Sequence, residues 1–170
     1  SGEAEKVIVN LVESAKCESR PVFIEAPLPS ADDIPAVNLD IVHGNQYLDL
    51  YIIQLSRGCP YSCVFCNVRN IAGQKIRKRS VETCLDQIID AQSRYPNIKT
   101  INITDDCPTF DMDRFKKFLI MFKERNLGCN LHIDNVRANL IDEELIQPYV
   151  AAGGINICLG IESGHPEIFK

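Results

Sequence analysis

The sequence predicts an α/β fold built on a parallel sheet, and three observations predict it. Four short apolar runs, residues 50–55, 99–104, 131–136 and 155–161, read as strands. Between them lie stretches of helical length and period, and strands alternating with such helices imply right-handed crossovers and parallel neighbours. Within the strands apolar and polar residues alternate. Ile101 and Ile103 stand against Asn102 and Thr104, and Leu131 and Ile133 against His132 and Asp134. Ile155, Ile157, Leu159 and Ile161 stand against Asn156, Cys158, Gly160 and Glu162, and Gln54 and Ser56 supply the polar set of the first strand. A parallel sheet buried on both faces reads as unbroken apolar runs. The alternation therefore predicts helices on one face and a polar cavity on the other, with a solvated face as the competing reading.

Each element follows from its residues. Gly2-Glu3-Ala4-Glu5 opens a helix whose apolar stripe is Val7, Ile8, Leu11, Val12 and Ala15. Pro21, Pro27, Pro29 and Pro35 make residues 21–40 an extended connection over the surface. After the first strand come Gly73 and the basic run Lys75-Ile76-Arg77-Lys78-Arg79, which reads as a solvated loop face. Ser80 caps a helix to about Tyr95, with Val81, Cys84, Leu85, Ile88 and Ile89 inward, and Pro96-Asn97 stops it. Asp111 opens a helix to about Asn126, with Phe115, Phe118, Leu119 and Phe122 inward and Gly128 past its end. Asp142 caps a helix to Ala152, where Pro148 should produce a kink because it lacks the amide donor. Ser163 is a candidate cap for one more helix, of which the sequence holds the first turn. This divides the chain into residues 1–48, a helix and proline-rich linker, and residues 49–170, the sheet-and-helix core.

The composition is that of one globular domain with its own core: 170 residues, 45% apolar, 24% charged, net charge −5. No run of 18 or more apolar residues and no export signal is present, so the expectation is a cytoplasmic chain outside the membrane. The mild negative charge argues against a sequence-independent nucleic-acid binder. Cys17, Cys84, Cys107, Cys129 and Cys158 show no paired spacing and read as reduced thiols. Of these, Cys107, just after Asp105-Asp106 at a strand end, is the one nearest to a site.

The remaining three cysteines carry the chemistry. Ser56-Arg57-Gly58-Cys59-Pro60-Tyr61-Ser62-Cys63-Val64-Phe65-Cys66-Asn67 follows the first strand and spaces its thiols as C-x3-C-x2-C. Three thiolates on one loop can wrap a single metal centre. They leave one iron of a 4Fe–4S cube without a protein ligand, since such a cube is usually held by four cysteines. Structural zinc wants four closed ligands, often as two C-x2-C pairs, and no second pair is present. Ordinary reduced cysteines remain the third reading.

With its spacing and the aromatic residue before the third cysteine, this loop resembles the signature of the radical S-adenosylmethionine (SAM) enzymes. The resemblance runs from Gly2 to the end of the chain and is strongest to the branch with an N-terminal cobalamin-binding domain. Gly2-Glu3-Ala4-Glu5, Ser56-Arg57-Gly58-Cys59-Pro60, Arg77-Lys78-Arg79-Ser80, Asp105-Asp106, Arg137 and Gly160-Ile161-Glu162-Ser163-Gly164 recur there in the same order. The resemblance implies a partial (β/α)6-type barrel of about four parallel strands, truncated after the fourth. It makes residues 1–48 the tail of a preceding cobalamin-type domain. It implies a 4Fe–4S cluster on Cys59, Cys63 and Cys66, with SAM chelating the open iron and a 5′-deoxyadenosyl radical as the product of its reductive cleavage. Asp105 and Asp106 would hold the methionine ammonium, Arg137 the carboxylate, Glu162 and Ser163 the ribose, and Phe65 would pack near the adenine. No side chain is assigned to the chemistry itself.

Cobalamin-linked methyl transfer is the reaction this branch implies for the full-length protein, with a small-molecule or peptide substrate and an external electron donor such as flavodoxin or ferredoxin. The nearest alternative is a methylthiotransferase-like enzyme acting on RNA or protein. Another is a catalytically inactive iron–sulfur or zinc-binding scaffold.

Overall fold

The structure is a computed structural model that describes residues 3–17, 25–44, 48–165 and 167–168. Gly2, Pro21 and, in the expected helix after Ser163, Pro166, Phe169 and Lys170 lie outside them. In chain order the helices are α1 (Ile8–Cys17), α2 (Val68–Ile71), α3 (Val81–Arg94), α4 (Met112–Glu124) and α5 (Glu143–Ala151). The strands are β1 (Leu50–Ile53), β2 (Ser56–Arg57), β3 (Arg77–Lys78), β4 (Thr100–Ile103), β5 (Asn130–Arg137) and β6 (Gly154–Gly160).

The main sheet is parallel throughout, in the order β1-β4-β5-β6, so each long strand neighbours the next one. Its helix-facing parity is Tyr51, Ile53, Ile101, Ile103, Leu131 and Ile133, all buried. The opposite parity, Asn102, Thr104, His132 and Asp134, is partly exposed, and Asn156 and Cys158 are exposed. This is the two-faced sheet that the alternation predicts.

Side-chain caps start α3, α4 and α5. Ser80 Oγ accepts from the Thr83 amide at 2.9 Å, Asp111 from Arg114 at 3.1 Å and Asp142 from Leu145 at 2.9 Å, each satisfying a donor the helix itself cannot. Val81, Cys84, Leu85, Ile88 and Ala91 of α3 and Phe115, Phe118, Leu119 and Phe122 of α4 enter the core. Ile89, expected inward, is 39% exposed, because it lies one step of the helix beyond Ile88 at the edge of the stripe. α5 continues through Pro148 as one element.

Three further expectations are corrected. The proline-rich connection is pinned rather than merely extended. It carries short 3₁₀ turns at Ala31–Asp33 and Leu39–Ile41, buries Ala31, Ile34 and Leu39, and offers the Val37 carbonyl to Tyr51 Oη at 3.1 Å. The apolar stripe of α1 is open, with Ile8, Val9 and Val12 exposed, since no described element covers it. β5 loses its alternation at Asn135, which has φ +58: the register with β6 shifts between Ile133 and Val136, and Val136 rather than Asn135 is buried.

Among the described residues β6 pairs only with β5, so its other side is an edge. Ile155, Leu159 and Ile161 of this region are 63%, 42% and 52% exposed, where the sequence pattern anticipates cover.

Candidate functional site: the cysteine loop at the strand ends

The loop of Cys59, Cys63 and Cys66 leaves β1 at the carboxyl end of the sheet, where open α/β folds place their ligands. All three thiols are free, Cys59 and Cys63 half-buried and Cys66 exposed. Their sulfurs do not gather within 4.8 Å of one another, whereas thiolates about 2.3 Å from one tetrahedral zinc lie about 3.8 Å apart. Three free thiols, spread around one loop end, are a donor set that fits a larger iron–sulfur cluster.

The loop is braced on every side. Gly58 donates its amide to Asp106 Oδ2 at 2.7 Å, and the Cys59 amide bonds the Gly73 carbonyl at 3.2 Å. Gly58 has φ +96, and a Cβ there would sit 2.6 Å from the Lys75 carbonyl oxygen, so only glycine fits this approach. β2 and β3 pair antiparallel, Ser56 with Lys78 and Arg57 with Arg77, folding the basic run back onto the loop's entrance.

That run is therefore not a solvated face. Arg77 and Arg57 both pair with Glu3, and Glu5 adds a second carboxylate to Arg57. Arg79, 6% exposed, donates to the Gln54 carbonyl at 3.1 Å. Burial works to raise the Glu3 carboxyl, but the hydrogen bonds and charges of Arg77 and Arg57 outweigh it and hold it below the usual carboxylate range. The acids of the Gly-Glu-Ala-Glu stretch thus clamp the lead-in to the first cysteine. Sequence reasoning treated both segments separately, although acids in one and arginines in the other were the available signal.

Asp105 and Asp106 stand at the end of β4. Asp105 is 1% exposed, and both its oxygens are engaged by the first strand's end: Oδ1 accepts from the Leu55 amide at 2.6 Å and Oδ2 from Ser56 Oγ at 2.5 Å. Burial pushes its carboxyl up to about 7, against the pull of these donors and of Arg114. Asp106 is the half-exposed member of the pair.

Arg137, at the end of β5, reaches the loop. Its Nη1 lies 3.5 Å from Cys63 Sγ, and its guanidinium sits 3.9 Å over the Tyr61 ring. Tyr61 in turn meets Phe110 edge to face at 6.1 Å. Tyr61 was not among the residues singled out from the sequence, and its position between the first two cysteines was the clue. Cys107 is buried, and burial, with the neighbouring Cys59 thiol, pushes its own thiol up to about 12.

The other candidates are less enclosed. Phe65 is 66% exposed at the loop's tip. Glu162, also exposed, sits at φ +62 as the centre of a turn in which the Ser163 amide bonds the Ile161 carbonyl at 2.7 Å. This is the rare, strained form of the three-residue turn. Ser163 Oγ accepts from the His165 amide at 3.1 Å, beginning the turn that follows.

Comparison with known proteins identifies the family of the chain. The profile of the Radical SAM superfamily matches residues 53–170. Cytidylyl-2-hydroxyethylphosphonate methyltransferase of Streptomyces wedmorensis is 33% identical over 115 residues, 68% of this chain and 21% of that protein. Two solved structures share the fold. The cobalamin-dependent S-adenosylmethionine radical enzyme OxsB superposes with a TM-score of 0.66 at 23% identity, over 98% of this chain and 28% of that one. The radical S-adenosylmethionine methyltransferase TsrM of Kitasatospora setae, bound to tryptophan and a SAM analogue, gives 0.64 at 22% identity, over 73% of this chain and 24% of that one. The chain thus spans about a fifth of the curated relative's length and about a quarter of each solved chain. With the superfamily profile running from the end of β1 through the cysteine loop to the last residue, this chain belongs to the radical SAM superfamily.

Proposed function

We propose that this chain is the cofactor-holding half-barrel of a radical SAM methyltransferase whose full-length form works with cobalamin. The observation that carries the reading is the braced loop of three free thiols at the open end of a parallel sheet. Cys59, Cys63 and Cys66 would hold the 4Fe–4S cluster, which when bound supplies the electron that cleaves the SAM sulfonium. The rest is the work of this chain's residues. Arg137 brings positive charge to Cys63 and, held by Tyr61, offers two-pronged binding to a carboxylate. Asp106 offers its remaining oxygen to an ammonium, while Asp105 positions the loop by tying the end of β1 to β4. Glu162 and Ser163 supply hydroxyl acceptors beyond β6, and Phe65 supplies an exposed ring for the adenine. The cytidylyl-phosphonate methyltransferase supports a methyl-accepting small molecule as the substrate class. An external one-electron donor of the flavodoxin or ferredoxin kind completes the system.

The test is anaerobic reconstitution with iron and sulfide, followed by reductive SAM cleavage. Cys63→Ala should abolish the sulfur-to-iron absorbance, and Cys84→Ala, a change in the helix core, should leave it. Tight tetrahedral zinc on the three loop thiols, in place of an oxygen-sensitive cluster, would sink the reading.

A further inference from the structure

On the open face of the sheet, β5 and β6 bring three side chains of different chemistry to one point. His132 Nε2 lies 3.2 Å from Asp134 Oδ1 and 3.6 Å from Cys158 Sγ, and the three donor atoms all lie within 4.8 Å of one another. The strand register produces this. His132 and Asp134 are alternate residues of β5 and share its polar side; His132 faces Asn156, and Cys158 is the next residue of that parity on β6.

One ring nitrogen donates or accepts a single hydrogen bond. Here it has three polar neighbours, since Asn156 Nδ2 also stands 3.2 Å away. The spacing is that of ligands around an ion. With zinc about 2.05 Å from an imidazole nitrogen, about 2.0 Å from a carboxylate oxygen and about 2.3 Å from a thiolate, tetrahedral angles put nitrogen and oxygen about 3.3 Å apart and nitrogen and sulfur about 3.6 Å apart. The two observed separations match these values, and the third pair, Asp134 Oδ1 and Cys158 Sγ, lies within 4.8 Å. A supporting contact is also present: Asn102 Nδ2 donates to Asp134 Oδ2 at 3.0 Å, which orients the carboxylate and leaves Oδ1 turned to His132.

We propose that His132, Asp134 and Cys158 form a mononuclear transition-metal site of the zinc class, with its fourth coordination position open to the exposed polar face of the sheet. The mixed nitrogen, oxygen and sulfur donors suit a borderline-soft ion, and three protein ligands with one open position is the pattern of a reactive rather than a structural site. The open position takes water or an anionic oxygen or sulfur of a small molecule. Metal entry breaks the Cys158 S–H bond and releases that proton to solvent, while His132 binds through Nε2 with its proton on Nδ1. The site is distinct from the cysteine loop: Arg137, which touches Cys63, lies three residues further along β5 than Asp134.

The experiment uses the full chain with Cys59, Cys63 and Cys66 all changed to serine, so that the loop cannot compete, stripped of metal and titrated anaerobically with Co(II). One equivalent should bind with the intense visible bands of tetrahedral cobalt and a near-ultraviolet thiolate-to-cobalt band, and zinc should displace it. Adding Cys158→Ser, an exposed and conservative change, should remove the thiolate band. Asn102→Ala should keep the bands and weaken binding on the order of 10- to 100-fold. A weak octahedral spectrum, or a tetrahedral one unchanged by Cys158→Ser, would overturn the site. Far-ultraviolet circular dichroism verifies that each variant is folded.

Discussion

Gly58 gives its amide hydrogen to Oδ2 of Asp106 at 2.7 Å, so the residue before the first cysteine is held by the neighbouring strand's end. Asp106→Ala leaves that buried donor unpaired and should cost about 1–3 kcal/mol. Asp106→Asn keeps an acceptor and should recover most of it. Gly58→Ala should be worse than either, because it strains φ +96 and meets backbone at 2.6 Å. Urea midpoints and iron retained after anaerobic gel filtration read these effects; if Asp106→Ala changes neither, the brace is unimportant.

Glu3 is the carboxylate shared by Arg57 and Arg77, with 7% of its side chain exposed. Glu3→Gln removes the charge both arginines face. We expect a loss of about 2–4 kcal/mol, below the upper cost of breaking a buried pair because Glu5 stays on Arg57. Chemical denaturation measures it, and the double variant with Arg77→Gln should lose less than the sum of the two single changes. Additive losses would show that the pair does not interact.

Asp105 gives the fold a definite pH response. Its carboxyl is raised to about 7 by burial, so the folded chain holds this proton more tightly than the unfolded chain. The resulting stability is fully present below pH ~4, where aspartate is protonated in both states. It is lost as pH rises through about 7. Unfolding free energy should therefore fall across that window, by up to about 4 kcal/mol, and Asp105→Asn should flatten the fall. Equal slopes in the two proteins, measured by denaturation across the window, would remove Asp105 as the cause.

The edge of β6 predicts self-association. Its outer backbone groups have no partner strand among the described residues, and Ile155 and Leu159 are exposed beside them. Such an edge templates pairing with another chain unless charge blunts it. Ile155→Lys should shift the chain toward monomer in size-exclusion chromatography at rising concentration. A wild-type chain that stays monomeric throughout would count against the exposed edge.

The sheet was legible because its signals are local and periodic: strand lengths, the caps Ser80, Asp111 and Asp142, and the phenylalanines of α4 all follow from spacing. The cysteine loop was legible for the same reason. What spacing could not give was contact between distant segments. Glu3 meets Arg77 across 74 residues of chain, and Arg77 looked like one charge in a solvated run. Asp105 and Asp106 look equivalent in sequence, yet their different environments separate a buried brace from a half-exposed acid. Asn135 interrupts an alternation that reads as continuous, because an asparagine accepts a positive φ that few other residues do.

That interruption has a consequence for length changes in this part of the chain. A strand is read in a two-residue frame, and Asn135 is a frameshift within it. Up to Asp134 the odd positions face the helices; after it the even ones do, so Val136 enters the core and Arg137 emerges beside Cys63. A β5 with Asn135 paired as an ordinary strand residue would carry the first frame on, turning Asn135 and the Arg137 guanidinium toward the hydrophobic layer and Val136 to the polar side. Deleting Asn135, by contrast, would join Asp134 directly to Val136 and leave Val136 facing the core. The bulge at Asn135 is therefore what delivers a cation to the cysteine loop from a strand whose other odd-numbered side chains, Leu131 and Ile133, build the core.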